Sequence, residues 1–290
     1  MNGTCTTAGP GGPTAQGVER TGGGAKRFLH DRLRLAAAFV RRDFLQAASY
    51  RIAFLWQGAS LLFYVGILFF LSRMLGRGGE GGYFAFAVVG FAVAEGMWGC
   101  LTSFSAQVRY DQVVGTLEAM AATRTGLGTV VICSGVYPLL FYGFRMLAVL
   151  AVGAVVGAGY GVWDLLRATP VLLLALGAFS GLGIISASMT LVIKKGDPVA
   201  AFLGASSFLL GGALYPVHVL PEWLQGVAAA LPVTHAVEAA RNVLLDGAGY
   251  SDVWFELAVL AGFTLGFGLL SVAALRWAVR VVRDRGVRSY

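Results

Sequence analysis

Two ionisable residues of opposite charge, Glu118 and Arg124, stand in a short polar segment between two long apolar stretches of the chain. Apolar residues at Val113, Leu117 and Met120 follow the i, i+4, i+7 spacing of a helix with one apolar face. A carboxylate on such a helix can form an ion pair with a basic residue of another protein, or it can simply face water. The spacing therefore predicts a short amphipathic helix that could act as a contact surface.

Two more ionisable residues, Glu95 and Arg145, lie deep within apolar stretches. Each would be costly in contact with lipid, so we expect both to face the interior of a helix bundle. Counting about 1.5 Å per residue from helix starts at Tyr83 and Thr129 gives depths that differ by roughly 12 Å. A helix start near Cys133 would halve this gap. The two residues form either a structural ion pair, which we favour, or a polar element beside a translocation path.

A third polar region, residues 209–247, is interrupted by prolines. A helix does not continue through several prolines, so the pattern predicts two short helices, about 222–230 and 234–245, that are too short to cross a bilayer. Irregular backbone at membrane depth must be shielded by protein or line a water-filled cavity. We therefore expect a re-entrant segment, residues 215–247, that dips in from the outer face.

Two histidines and a charged pair of this segment could have a role at that face. His218 and His235 have no zinc-binding spacing and no accompanying cysteine or paired carboxylate, so we expect interfacial hydrogen bonding and no metal site. Glu238 and Arg241, three residues apart, are expected to pair on one short helix.

The elements that position these residues must be membrane helices. The 290-residue chain is 57% hydrophobic and only 13% charged, whereas soluble domains average about 25% charged residues. Six apolar stretches approach the length of about 20 residues that a spanning helix needs. The predicted spans are residues 52–75, 83–104, 129–156, 169–193, 198–214 and 253–279. The fold class is thus an all-α integral membrane protein with six transmembrane helices.

Basic residues predict how this bundle is oriented. With six spans both termini lie on one side, and most of the 22 lysines and arginines fall on that side, which places both termini in the cytosol. Their spread over every inner loop favours contact with membrane lipid headgroups over nucleic-acid binding. The composition of residues 1–27 predicts a disordered cytosolic arm. The apolar spacing of residues 28–50 predicts an amphipathic interfacial helix.

Two segments carry a resemblance to a known family. The first is Gly115-Thr-Leu-Glu118, followed by Ala-Thr-Arg-Thr-Gly126. The second runs from Leu214-Tyr-Pro-Val-His-Val-Leu-Pro-Glu-Trp-Leu224 to Pro-Val-Thr-His-Ala-Val-Glu-Ala-Ala-Arg241. In this order they resemble the membrane subunit of ATP-binding-cassette exporters of the ABC-2 permease family, in its drug-resistance and polyketide-export form. The resemblance covers the chain from about Leu33 onward and implies a type V ABC exporter fold for residues 28–290.

The resemblance assigns a role to each segment. Residues 107–126 would form a cytosolic coupling helix that seats in a groove of a separate ATPase. Its contact residues would be Gly115, Thr116, Leu117, Glu118 and Arg124, although the family often has proline where this chain has Arg124. Residues 215–247 would form the re-entrant outer helices over the translocation path. The implied outer-gate residues are Tyr215, Pro216, His218, Pro221, Glu222, His235, Glu238 and Arg241.

The implied function is that of a non-catalytic permease subunit in the plasma membrane. It would export a hydrophobic or amphipathic substrate, such as a drug, a lipid or a lipid-linked glycan. The chain has no Gly-x-x-x-x-Gly-Lys-Ser/Thr phosphate loop, so we expect ATP and magnesium to bind a partner ATPase and no cofactor to bind here. The expected assembly contains two ATPase copies and a second permease, which is identical or similar.

Two other functions compete with this interpretation. A membrane-embedded lipid-modifying enzyme would need clustered aspartates to hold magnesium and diphosphate, but the inner loops offer only the isolated Asp111 and Asp197. An ion-coupled secondary transporter would predict inverted repeats and several buried carboxylates, and only Glu95 fits that description.

Overall fold

A computed structural model describes most of the chain, namely residues 34, 37–45, 49, 51–75, 82–114, 127–193 and 197–287. Within these ranges the regular structure is helical and contains no strand. The all-α class is therefore confirmed for the described part of the chain. The predicted disordered arm, residues 1–27, lies outside it.

The main helices follow one another with short connections. They are α1 Arg51–Leu75, α2 Gly82–Val113, α3 Leu127–Ser134, α4 Val136–Val156, α5 Val162–Ile193, α6 Pro198–Leu210, α7 Glu222–Ala229, α8 Pro232–Leu244 and α9 Trp254–Val287. A 3-10 helix at Val217–Val219 precedes α7, and residues 37–45 are also helical.

Five helical segments of the described chain are long and apolar enough to span a bilayer. They are Leu55–Met74, Gly82–Val113, Gly128–Val156, Val162–Ile193 and Trp254–Val282. The third consists of α3 and α4, which are separated at Gly135. Pro138 explains this break, because proline has no N–H to donate to the carbonyl of Ser134.

The predicted fifth span, residues 198–214, is shorter than expected. Helix α6 has 13 residues, which at 1.5 Å per residue gives about 20 Å, against a hydrocarbon core of about 30 Å. Asp197 begins the helix by accepting a hydrogen bond from the backbone N–H of Ala200 at 2.9 Å. Gly211 and Gly212 end it, and Gly212 has a positive φ of 68°. The structure thus has five helices of spanning length and a shorter sixth, so six spans stay a prediction.

Two other helices are longer than predicted. Helix α2 continues past the expected end at residue 104 to Val113, because Val108 and Asp111 keep its buried face in contact with the bundle. Residues 107–113, which were assigned to the coupling helix, are therefore the last turns of α2. Helix α5 begins at Val162, before the predicted start at residue 169, and accommodates Pro170 within its first turns.

Helices α2 and α5 form the centre of the bundle. In the apolar window of each, 83% of α2 and 67% of α5 is buried, against 17% for α1 and 11% for α9. Small residues allow these helices to approach closely. A Cβ atom at Gly181 of α5, for example, would lie 2.8 Å from Cβ of Phe267 on α9. The rigid core is thus α2 and α5, while α1 and α9 lie mostly at the surface.

Candidate functional site: two buried arginine clusters

Arg241 on α8 lies at the centre of the first cluster. Only 8% of the residue is exposed, and its guanidinium reaches α2 and the turn after α6. Nη2 donates to the carbonyl oxygens of Phe86 at 3.0 Å and Ala213 at 2.9 Å, and Nε donates to Phe86 at 3.2 Å. The Cζ atom lies 3.3 Å from the centre of the Phe86 ring, which adds a cation–π attraction. One cation therefore joins three elements of the chain.

A glycine on α2 makes this arrangement sterically feasible. A Cβ atom at Gly90 would lie 2.0 Å from the carbonyl oxygen of Ala213 and 2.4 Å from Nη2 of Arg241. Both distances are shorter than any real contact, so a larger residue would displace the turn or the arginine. We call Arg241, Phe86, Gly90 and Ala213 the Arg241 cluster.

The electrostatics of this cluster differ from those expected. Burial lowers the pKa of Arg241 to about 10, while the charge of Glu238 opposes that shift. The guanidinium is therefore still protonated at neutral pH. The expected ion pair between Glu238 and Arg241 is wrong, because Arg241 points into the bundle whereas Glu238 is exposed. The i, i+3 spacing puts the two residues near each other on α8, but the Arg241 side chain turns inward to Phe86 and Ala213, so Glu238 acts on it only beyond ion-pair distance.

Side chains of residues 215–247, the predicted outer segment, also satisfy carbonyls that its prolines and turns leave unpaired. Thr234 Oγ1 donates to Ala228 O at 2.7 Å, and a ring nitrogen of His235 lies 2.9 Å from Ala229 O. Gln225 Nε2 donates to Leu220 O at 2.7 Å and to His218 O at 3.3 Å. These bonds pair backbone carbonyls that the short helices and turns leave free, while the re-entrant placement of the segment stays a prediction.

The remaining predicted outer residues frame the same segment. Tyr215 donates its hydroxyl to the carbonyl of Leu209, and Tyr83 of α2 donates to Leu214 O at 3.2 Å. Pro216 and Pro221 bracket the 3-10 helix, and Glu222 opens α7 with an exposed side chain. The predicted residues of this segment therefore share one region, which Arg241 and Tyr83 connect to the start of α2.

Arg145 on α4 lies at the centre of the second cluster. Its Nε lies 2.7 Å from Glu95 Oε1 on α2, with the two side chains 12% and 16% exposed. Its other nitrogens donate to α1, at 3.1 Å to Gln57 O and 3.1 Å to Ser60 Oγ. We call Arg145, Glu95, Gln57 and Ser60 the Arg145 cluster. It ties the sparsely buried α1 to the centre of the bundle.

Glu95 and Arg145 meet although their spans begin close to the predicted residues, at Gly82 and Gly128. The depth difference of roughly 12 Å that residue counting gives is therefore not present, and the ion pair that we favoured forms. Glu95 Oε2 is buried and has no hydrogen-bond partner within the described part of the chain. The geometry is that of an ion pair with one acceptor left over.

The coupling residues Gly115, Thr116, Leu117, Glu118 and Arg124 lie outside the described residues, and their role stays a prediction. The structure describes the helix that leads to them. Helix α2 ends at Val113, which is 82% exposed, next to Val114, which is 53% exposed. The helix that contains Phe86 and Glu95 is thus the helix that enters this segment.

The sequence did not reveal Gly90 or Phe86 as site residues. Glycine is common throughout the chain, with 41 copies, so one more within a span gives no signal. Phe86 contributes its backbone oxygen and ring face, and any residue type would supply the former. In the described ranges no group of three histidine, cysteine, aspartate or glutamate residues could hold a metal ion.

Comparison with known proteins gives a family match and three similar proteins. Residues 34–245 match the family model described as ABC-2 type transporter. Nodulation protein J of Rhizobium leguminosarum bv. trifolii is 29% identical over 220 residues, which cover 74% of this chain and 82% of that protein. ABC transporter G family member 20 of Dictyostelium discoideum is 28% identical over 102 residues, which cover 34% of this chain and 14% of that protein. Nodulation protein J of Bradyrhizobium diazoefficiens is 28% identical over 192 residues, covering 62% and 69%.

Proposed function

Because the chain belongs to the ABC-2 type transporter family, we propose that it is the permease subunit of an ATP-driven exporter. Members of this family are multi-pass membrane components of ABC transporters, and the family implies an ABC ATPase partner. The observation that carries the proposal is the extent of the match, from residue 34 to residue 245. It includes both arginine clusters and the segment 115–126 between α2 and α3.

We propose that a push at segment 115–126 reaches the outer segment through α2. This helix runs from Gly82 to Val113 and is the most buried of the five spanning segments. Phe86, which holds Arg241, is about 40 Å along the helix axis from Val113. A helix that is packed along its length transmits displacement as a rigid body rather than bending. Closure of the ATPases around ATP would then move the α7–α8 segment over the path.

The cargo and the direction belong to the same proposal. We propose export of a hydrophobic or amphipathic molecule, such as a drug, a lipid or a lipid-linked glycan. Helix α1 exposes Trp56 (75%), Phe63 (66%) and Phe70 (73%), an apolar surface that suits such a molecule, lipid or a second permease. The proposed assembly has two ATPase copies and two permeases, identical or similar, with both termini of this chain in the cytosol.

Reconstitution with and without an ATPase tests this function. The chain is co-expressed with the ABC-type ATPase from a neighbouring reading frame, and the complex is placed in vesicles loaded with fluorescent amphipathic probes. We expect probe movement only with ATP and both chains present, together with ATP hydrolysis that depends on the permease. Transport by this chain alone, driven by a proton or sodium gradient, would instead favour a secondary transporter.

A further inference from the structure

A groove between α3 and α9 combines an apolar floor with two arginines. It is lined by Gly128, Thr129 and Ile132 of α3 and by Val272, Leu275, Arg276, Val279 and Arg280 of α9, and it has a volume of about 440 Å³. A Cβ atom at Gly128 would lie 3.6 Å from the Leu275 side chain, an ordinary van der Waals distance. The helices are thus close together at Gly128, while Ile132 and Val272 stay exposed beside it.

The position along α9 puts the two arginines at the level of lipid headgroups. Helix α9 begins with Trp254 and Phe255, aromatic residues of the kind found at membrane interfaces. At 1.5 Å per residue, Arg276 and Arg280 lie about 33 Å and 39 Å from Trp254 along the axis. The hydrocarbon core is about 30 Å thick. The arginines therefore lie just beyond its far boundary.

The charge of these arginines is not neutralised by the described part of the protein. The ion pairs within the described residues are Arg42–Asp43 and Arg145–Glu95. Asp284, one turn after Arg280, is exposed and pairs with neither arginine. Two adjacent guanidinium groups match a phosphate, because each can donate two parallel hydrogen bonds to its oxygens. The apolar floor beneath them matches an acyl chain.

We propose that this groove binds one anionic phospholipid, from the leaflet on the side of the membrane where Arg276 and Arg280 lie. Arg276 and Arg280 hold its phosphate, and an acyl chain lies along Ile132, Val272 and Leu275. The lipid joins α9 to α3, the helix that begins directly after segment 115–126. Assigning the lipid to the inner leaflet rests on the proposed orientation, whereas its binding does not depend on the transport function.

Native mass spectrometry of the full chain in detergent tests the site. The protein is titrated with phosphatidylglycerol or with phosphatidylcholine of the same chain length. We expect one tight phosphatidylglycerol site, which the double substitution R276Q/R280Q weakens roughly twenty-five-fold, about fivefold for each arginine. The matched control R34Q/R41Q removes two exposed arginines elsewhere and should leave that site unchanged. If both variants lost phosphatidylglycerol affinity equally, the loss would follow from net charge alone, and the proposal would be overturned.

A second variant separates a lipid site from a phosphate site. Val272→Trp fills the exposed part of the apolar floor without changing the charge, and we expect it also to displace phosphatidylglycerol. Binding that survives this change, or that millimolar inorganic phosphate removes, would overturn the lipid assignment. So would equal retention of phosphatidylcholine, or an R276Q/R280Q variant that binds phosphatidylglycerol as tightly as the unchanged protein. Unchanged melting temperatures show that each variant is folded.

Discussion

Both arginine clusters hold a largely buried positive charge, but the groups that surround the charge differ. Arg145 is held by a carboxylate, a carbonyl and a hydroxyl from two neighbouring helices. Arg241 is held by backbone carbonyls and a ring face, and no carboxylate forms an ion pair with it in the described structure. Backbone acceptors have fixed positions, so the Arg241 cluster demands exact geometry. The Arg145 cluster depends mainly on opposite charge.

The kind of acceptor in each cluster suits the part of the chain that the cluster attaches to the bundle. The Arg145 cluster fastens α1, which has little other burial, to α2 and α4. The Arg241 cluster fixes an irregular segment to the end of the most buried helix. A charge pair can tolerate small shifts of a surface helix, whereas a guanidinium that donates to two backbone carbonyls keeps the α7–α8 segment in register with α2. We therefore expect the Arg241 cluster to be the less tolerant of the two.

The largest effect is expected at Gly90. Gly90→Ala places a Cβ atom against Ala213 O and Arg241 Nη2, so the turn moves or the fork is lost. We expect a loss of about 3 kcal/mol in unfolding free energy, from overpacking and unpaired buried carbonyls together. Unfolding in mixed micelles measures it. The matched control is Gly226→Ala on α7, where no atom lies within 4 Å. Equal stability of the two variants would show that the Arg241 cluster is not a tight contact.

The next effect is expected at Arg145. Arg145→Met leaves the Glu95 carboxylate without its counter-ion in an apolar site, and we expect a loss of about 2 kcal/mol. A second change, Glu95→Gln, should recover much of this loss because it removes the unpaired charge. The exchanged pair Glu95→Arg/Arg145→Glu should restore stability without altering the range of transported probes. A changed substrate range would instead place the Arg145 cluster beside the translocation path.

The smallest effect is expected from lysine substitution, and it compares the clusters directly. Arg241→Lys keeps the charge but cannot bridge Phe86 O and Ala213 O while stacking on the ring, so about 1 to 2 kcal/mol should be lost. Arg145→Lys can still pair with Glu95 and should lose less than about 1 kcal/mol. Thermal unfolding of the two variants side by side gives the order. A larger loss of stability in Arg145→Lys than in Arg241→Lys would show that the Arg241 cluster does not depend on geometry more than the Arg145 cluster does.

The fold was largely predictable, because apolar length and proline position act locally. Apolar stretches located the five spanning segments, and the prolines located the short helices α7 and α8. Helix α6 was overestimated because an apolar stretch continues past the glycines that end the helix. The clusters were harder. Arg241 donates to a carbonyl 155 residues away in sequence. Every residue has a backbone oxygen, so the sequence does not indicate which one accepts.

The Arg145 pair was partly predictable for a related reason. Two opposite charges inside a bundle are expected to meet, but their depths depend on where each helix begins. The span of Arg145 is interrupted at Gly135, between α3 and α4, so counting residues along the apolar stretch does not give the depth of Arg145. The coupling residues of segment 115–126 stay a prediction from the resemblance.

In the proposed mechanism a separate ATPase moves the α7–α8 segment of this chain through α2. Its most direct test labels Trp223→Cys on α7, an exposed site, with an environment-sensitive fluorophore in the reconstituted complex. Cys5 is replaced by serine, while Cys100 and Cys133 are buried. ATP with vanadate should shift the emission in the wild-type background. Glu118→Ala should abolish that shift and transport while the ATPase stays bound. An unchanged shift with wild-type transport in Glu118→Ala would contradict the account.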